Sequence, residues 1–75
     1  MMEEIIKAIE LAIAHEFEAR KAYLALAGEK DDAELKSLLR EIAAEEAGHE
    51  ATLRSRLRRC YIFILRGDPE GVIGR

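Results

Sequence analysis

The sequence contains a single cysteine, Cys60, and this scarcity excludes two kinds of site. One cysteine cannot form a disulfide within the chain, and it cannot supply the thiolates of a four-cysteine iron centre. Tryptophan, asparagine and glutamine are absent as well, whereas glutamate, lysine and arginine are plentiful, a bias found in heat-adapted proteins. Redox chemistry in this chain would therefore depend on oxygen and nitrogen ligands.

Long hydrophobic runs are also missing. No apolar stretch approaches the roughly 20 residues that span a bilayer. The amino terminus, MMEE, is acidic and does not resemble a secretion signal. We therefore expect a soluble, cytoplasmic protein without a membrane partner.

Negative charge slightly exceeds positive charge overall, but positive charge is locally concentrated. The 75-residue chain has a net charge of −3, which gives no general affinity for nucleic acid. Four arginines nevertheless form a basic cluster: Arg54, Arg56, Arg58 and Arg59. Because no aromatic residues alternate with them, a solvated surface or ion pairs between subunits are favoured over contact with nucleic acid.

Two long segments have the composition of helices. Residues 3–27 are rich in alanine, isoleucine, leucine and glutamate, and Gly28 is placed to end a first helix. Asp31 followed by Glu34 resembles a capping box at the start of a second helix over residues 32–59. An all-α fold follows, with a helical hairpin over residues 1–59.

Residues 60–75 are harder to interpret. The apolar run CYIFIL over residues 60–65 precedes the turn-rich segment RGDPEG. The run could extend the second helix, form a short strand or pack against another subunit. We favour a subunit contact, because an exposed apolar run would promote aggregation.

Each predicted helix carries one apolar stripe that is interrupted by charged residues at a single level. The stripe positions recur at steps of four and three, as on one face of a helix. On the first helix they are Ile5, Ile9, Ala12, Glu16, Ala19 and Tyr23; on the second they are Leu35, Leu39, Ile42, Glu46, His49 and Leu53. An uncompensated carboxylate there would cost on the order of several kcal/mol, and a bound cation would remove that cost. In contrast, Glu41, Glu45 and Glu50 are most simply interpreted as the solvent-exposed face of the second helix.

The three interrupting residues are expected to meet. Glu16 and Glu46 are equidistant from Asp31, so a hairpin that turns there places both about 22 Å from the turn. His49 follows Glu46 by three residues and shares its face. We therefore predict Glu16, Glu46 and His49 as metal ligands that also carry out the chemistry, against the alternative of a salt-bridged polar cluster in which Arg20 or Lys21 neutralises a carboxylate.

One hairpin of this length cannot enclose a core or a complete metal site, so an oligomer is expected. A two-fold homodimer would form a four-helix bundle and pair each ligand with its symmetry copy. A glutamate from each of two helices and Glu-x-x-His from each of the other two is the ligand set of di-iron and di-manganese carboxylate bundles. We predict a di-iron site, with manganese as the other candidate metal, at the interface of a homodimer or a larger homo-oligomer.

The sequence resembles the ferritin-like superfamily over residues 8–58, and especially rubrerythrins and the short encapsulated ferritins. The similarity is carried by EFEARKAY from Glu16 to Tyr23 and by EEAGH ending at His49. Rubrerythrins carry two such helix pairs in one chain, whereas encapsulated ferritins have one pair and build the iron site between subunits. The single pair favours the encapsulated ferritins, although this sequence has no set of cysteines for the rubredoxin-like part of a complete rubrerythrin.

The resemblance implies a ferroxidase-type oxidoreductase for iron storage or detoxification, in which Glu16, Glu46 and His49 bind iron and oxidise Fe(II). In that family, acidic residues beside the first ligand help iron to enter. Glu18 matches such a position, while His15 stands where an acidic residue is expected. Encapsulated ferritins usually end in a peptide that docks inside a protein nanocompartment. Residues 71–75, GVIGR, are only a faint echo of that peptide, which leaves an encapsulating shell protein as a candidate partner.

Several alternatives remain at this point. Tyr23 is either a hydrogen-bond donor to a ligand carboxylate or an ordinary core tyrosine, and His15 and Glu18 fit a solvated flank as well as an iron entry path. The whole chain could be a metal-free helical assembly or adaptor module. It could also be a metal sensor whose arginine cluster contacts DNA.

Overall fold

Two antiparallel helices form the described part of the chain. In the computed structural model, which describes residues 1–67, α1 spans Met2–Glu29 and α2 spans Ala33–Arg66. These residues contain no strand, so the all-α hairpin predicted from the sequence is confirmed. Neither helix has a segment that is long and apolar enough to cross a membrane.

The start of α2 is fixed by an aspartate, but not by the predicted one. The Asp32 side chain accepts hydrogen bonds from the backbone N–H groups of Glu34 and Leu35, at 2.8 and 3.1 Å. It thereby satisfies two amides that have no partner within the helix. The capping box expected from Asp31 and Glu34 is therefore wrong, and Asp32 is a simple N-cap.

Removal of this cap should destabilise the hairpin measurably. We expect Asp32→Ala to lower the free energy of unfolding by about 1 kcal/mol, because two amides lose their acceptor. In a domain of this size the melting temperature should fall by about 4–8 °C. Asp31→Ala is the matched control, and an equal loss in both variants would contradict the assignment of the cap. Thermal unfolding of both variants, monitored by circular dichroism, measures this difference.

Both helices run further than predicted. The first continues past Gly28 to Glu29, after which Lys30 has an extended backbone (φ −94°, ψ 147°). The second does not end at residue 59 but continues through the apolar run to Arg66, so the run extends the helix. The favoured subunit contact of this run stays a prediction. No glycine or proline lies between residue 59 and Gly67, where φ is +74° and the N–H donates to the Ile64 carbonyl at 2.9 Å. Predictions for residues 68–75, including the shell-docking peptide, lie outside the described residues.

The helices contact each other through an apolar stripe that is offset from the predicted one. We call it the inner seam, and its positions again follow steps of three and four. They are Ile6, Ile9, Ile13, Glu16, Arg20, Tyr23 and Ala27 on α1, and Leu39, Ala43, Glu46, Glu50, Leu53, Leu57 and Cys60 on α2, all buried or half-buried. We name the stripe that was predicted from the sequence the outer stripe. Every second member of it also belongs to the inner seam, and its other members lie beside the seam and are half-buried or exposed. The shared members are Ile9, Glu16, Tyr23, Leu39, Glu46 and Leu53.

The inner seam buries little apolar surface. Of the five buried hydrophobic residues, two are alanines, Ala27 and Ala43, and no large side chain of residues 1–67 is completely buried. The outer stripe stays partly exposed, with Ile5 at 44 % and Leu35 at 38 %. A small core beside an uncovered apolar flank is typical of a subunit that is stabilised by association.

Candidate metal centre

Three potential ligands converge where the inner seam and the outer stripe overlap. Ligand atoms of Glu16, Glu46 and His49 all lie within 4.8 Å of one another. The Nδ1 atom of His49 lies 3.4 Å from Oε2 of Glu16 and 4.0 Å from Oε2 of Glu46. The structure thus brings together the three residues that the sequence singled out, two from α2 and one from α1.

The site is buried on one side and open on the other. The side chains of Glu16 and Glu46 are 24 % and 20 % exposed, whereas that of His49 is 63 % exposed. Since all three belong to the outer stripe, the open side faces away from the hairpin's own core. A further group could complete the site only from that side.

The electrostatics of the site are unfavourable without a cation. The pKa of Glu46 is raised, first by hydrogen bonding to Glu16, then by desolvation and by repulsion from the Glu16 carboxylate, while His49 opposes the shift. When both carboxylates are ionised, Oε2 of Glu16 is buried and accepts no hydrogen bond. A proton relieves this repulsion at low pH, and a metal cation would relieve it at neutral pH. Two carboxylates and one imidazole are ligands that suit iron or manganese.

The other predicted site residues lie outside this cluster. His15 is exposed, and Glu18 is exposed and paired with Lys21 at 3.3 Å. Tyr23 is half-buried in the inner seam, which fits either interpretation of this residue. The roles of these three residues in iron entry or ligand orientation stay predictions.

One residue near the site was misassigned from the sequence. Glu50 was expected on the solvent-exposed face of α2, but it is buried, at 8 % exposure, and it contacts Arg20 and Arg54. Its spacing could have revealed this position, because Leu39, Ala43, Glu46, Glu50 and Leu53 continue the steps of four and three. Arg54 therefore belongs to an ion pair at the edge of the site rather than to a wholly free basic cluster.

Comparison with known protein families gives a match that covers most of the chain. The family model described as Rubrerythrin matches residues 7–62, which include all three converging residues. No curated protein and no solved structure matches the chain significantly. Rubrerythrin-family domains generally bind iron. Because the match covers most of the chain, the protein belongs to the rubrerythrin family, within the ferritin-like superfamily.

Proposed function

We propose that two copies of this chain assemble a di-iron carboxylate site that oxidises Fe(II). The observation that carries the proposal is the convergence of Glu16, Glu46 and His49 on the half-exposed flank of the hairpin. The family match supports iron as the metal, with manganese as the other candidate.

The ligand count supports a site shared between subunits. One chain supplies two carboxylates and one imidazole, which is half of the set used by di-iron carboxylate bundles. A two-fold axis beside the open side would add the same three groups from the partner. Four carboxylates then balance the charge of two ferrous ions, and the buried Oε2 of Glu16 gains a partner.

The uncovered part of the outer stripe supports the same assembly. Its members Ile5 and Leu35 are 44 % and 38 % exposed in the single chain. Burial of such side chains contributes about 25 cal/mol for each Å² of apolar surface removed from water. We propose a homodimer as the smallest functional unit, with larger homo-oligomers built from it.

In the proposed reaction, iron is the substrate that is bound and oxidised. Two Fe(II) ions together give two electrons to one dioxygen molecule, which takes up two protons and leaves as hydrogen peroxide, while two Fe(III) ions remain. Glu16 and Glu46 bind and bridge the cations with negatively charged oxygens, and His49 supplies a neutral nitrogen ligand. Glu18 would provide a negative charge beside the entry, and Tyr23 would donate a hydrogen bond to a ligand carboxylate. Storage or detoxification of iron is the purpose that fits this reaction.

The uncovered stripe also favours a second candidate function, a metal-free assembly or adaptor module. The apolar flank would drive association whether or not a cation binds. In that case Glu16, Glu46 and His49 form only a polar interruption of the interface. Helicity, oligomer mass and melting temperature would then be indifferent to iron.

An iron titration decides between the two functions. Fe(II) is added anaerobically to the metal-free protein, oxygen is then admitted, and iron stoichiometry, oligomer mass and the near-ultraviolet absorbance of ferric iron are followed. We expect two tightly bound iron ions per dimer and oxidation faster than in buffer alone. A protein that retains no stoichiometric iron would contradict the proposed site and favour the assembly module.

A further inference from the structure

Glu50 is the one buried charged residue in the part of the chain that the structure describes, and two arginines surround it. Its Oε1 lies 3.2 Å from the Arg20 guanidinium on the opposite helix. Its Oε2 accepts a hydrogen bond of 2.8 Å from Nε of Arg54, one turn further along α2. Glu50 thus links the two helices within the inner seam.

This ion pair lies directly beside the candidate metal centre. Arg20 follows Glu16 by four residues, and Glu50 follows Glu46 by four residues, so each neighbours a proposed ligand on its own helix. The Arg20 side chain is only 28 % exposed, and its guanidinium is positively charged. Burial of that charge requires a carboxylate partner.

Two carboxylates are available to Arg20 by position, namely Glu50 across the seam and Glu16 on its own helix. Within residues 1–67, Glu50 is the carboxylate that lies within 4.0 Å of the guanidinium. An ion pair with Glu16 instead would place a fixed positive charge on a proposed ligand. Such a charge would compete with the metal cation for the same oxygens.

We propose that Glu50 is a positioning residue that binds Arg20 and thereby leaves Glu16 free to bind the metal. Arg54 holds the second oxygen of Glu50 and keeps the carboxylate in place for Arg20. This inference rests on the proposed function, since it concerns the availability of Glu16 to the cation.

Glu50→Gln tests the proposal with little change in side-chain volume. The variant should bind Fe(II) about 10- to 100-fold more weakly under anaerobic conditions, as is typical when a residue that orients a metal ligand is lost. Equilibrium dialysis against Fe(II) measures the affinity of the metal-free protein for this ion. Glu41→Gln is the matched control, because it removes an exposed carboxylate from the same helix, and it should bind as the wild type does.

Variants of Arg20 distinguish this positioning role from an ion pair that only stabilises the fold. Arg20→Gln should retain wild-type affinity, because no guanidinium remains to capture Glu16. The double variant Arg20→Gln/Glu50→Gln should regain the affinity that Glu50→Gln loses. If the ion pair between Glu50 and Arg20 only stabilised the fold, the Fe(II) affinity should fall equally in both single variants. The double variant should then not regain this affinity.

The possible results are distinguishable from one another. Wild-type affinity in Glu50→Gln, or continued weak binding in the double variant, would overturn the positioning role while the proposed function stands. Failure of the wild type itself to bind Fe(II) would contradict the proposed function and the positioning role with it. If Glu50→Gln does not fold, reduced affinity in Arg20→Gln alone would overturn the inference.

Discussion

Glu46→Gln should lower the affinity for Fe(II) by more than about 100-fold and abolish rapid iron oxidation. A loss beyond the range typical of ligand-orienting residues is expected, because the negatively charged oxygens of a proposed ligand are removed. The same substitution should raise the melting temperature of the metal-free protein at neutral pH. The substitution removes a carboxyl group whose ionisation is opposed by Glu16 and by partial burial. Stability without metal and metal affinity should therefore change in opposite directions.

The pH dependence of stability provides a second measurement on the same variant. The pKa of Glu46 is raised in the folded state, so protonation of this residue stabilises the fold. This contribution to the free energy of unfolding is fully present below the ordinary pKa of 4.5 and is lost as the pH rises through the raised pKa. The metal-free wild type should lose stability over this interval, whereas Glu46→Gln should not. Added Fe(II) should restore the stability of the wild type only, because a cation favours the ionised carboxylates.

Glu41→Gln is the control for both measurements, because it makes the same chemical change at an exposed position. It should retain iron binding and the pH dependence of the wild type. A Glu46→Gln protein that melts at or below the wild-type temperature at neutral pH would contradict the expected repulsion. Retained iron oxidation would remove Glu46 from the site.

Ile5→Lys should separate the subunits and stop iron oxidation without changing any proposed ligand. Ile5 lies about 16 Å along α1 from Glu16 and is already 44 % exposed in the single chain, so the hairpin itself should tolerate the change. In the proposed homodimer the lysine would have to enter an apolar interface. A cost of about 1.4 kcal/mol or more at such an interface weakens association at least about tenfold.

Mass and rate should change together in this variant. At low protein concentration we expect a species near the 8.5 kDa of one chain, and iron oxidation should recover as concentration rises. Leu11→Lys is the control, because Leu11 is 63 % exposed and lies outside both stripes. Equal masses for both variants, or rapid oxidation by a monomeric Ile5→Lys protein, would contradict a site shared between subunits.

The hairpin could be predicted from the sequence because helix periodicity and composition are local properties. The exact helix ends could not be predicted. Asp31 and Asp32 are residues of the same type, and only backbone geometry selects Asp32 as the N-cap. The apolar run after residue 59 was ambiguous for a related reason. A short apolar segment fits a strand or a helix until the surrounding chain decides.

The candidate site shows where sequence patterns become insufficient. Glu16 and Glu46 were found because they interrupt an apolar stripe, and they lie on both the inner seam and the outer stripe. Glu50 lies on the inner seam alone. Its spacing from Glu46 and Leu53 also fits steps of four and three, but two overlapping stripes fit that spacing, and the offset between them decides which one is buried. That offset depends on side-chain packing between helices, for which a single sequence contains no direct record.

The short turn at residues 30–32 has a practical consequence for protein engineering. Since the helices are antiparallel, Met2 and Arg66 lie at the same end of the hairpin, away from the turn. A tandem gene in which a flexible linker joins two copies would convert association into an intramolecular event at high effective concentration. It would also recreate within one polypeptide the two helix pairs that rubrerythrins carry. Such a fusion would allow each half of the site to be substituted separately, which symmetry forbids in a homodimer.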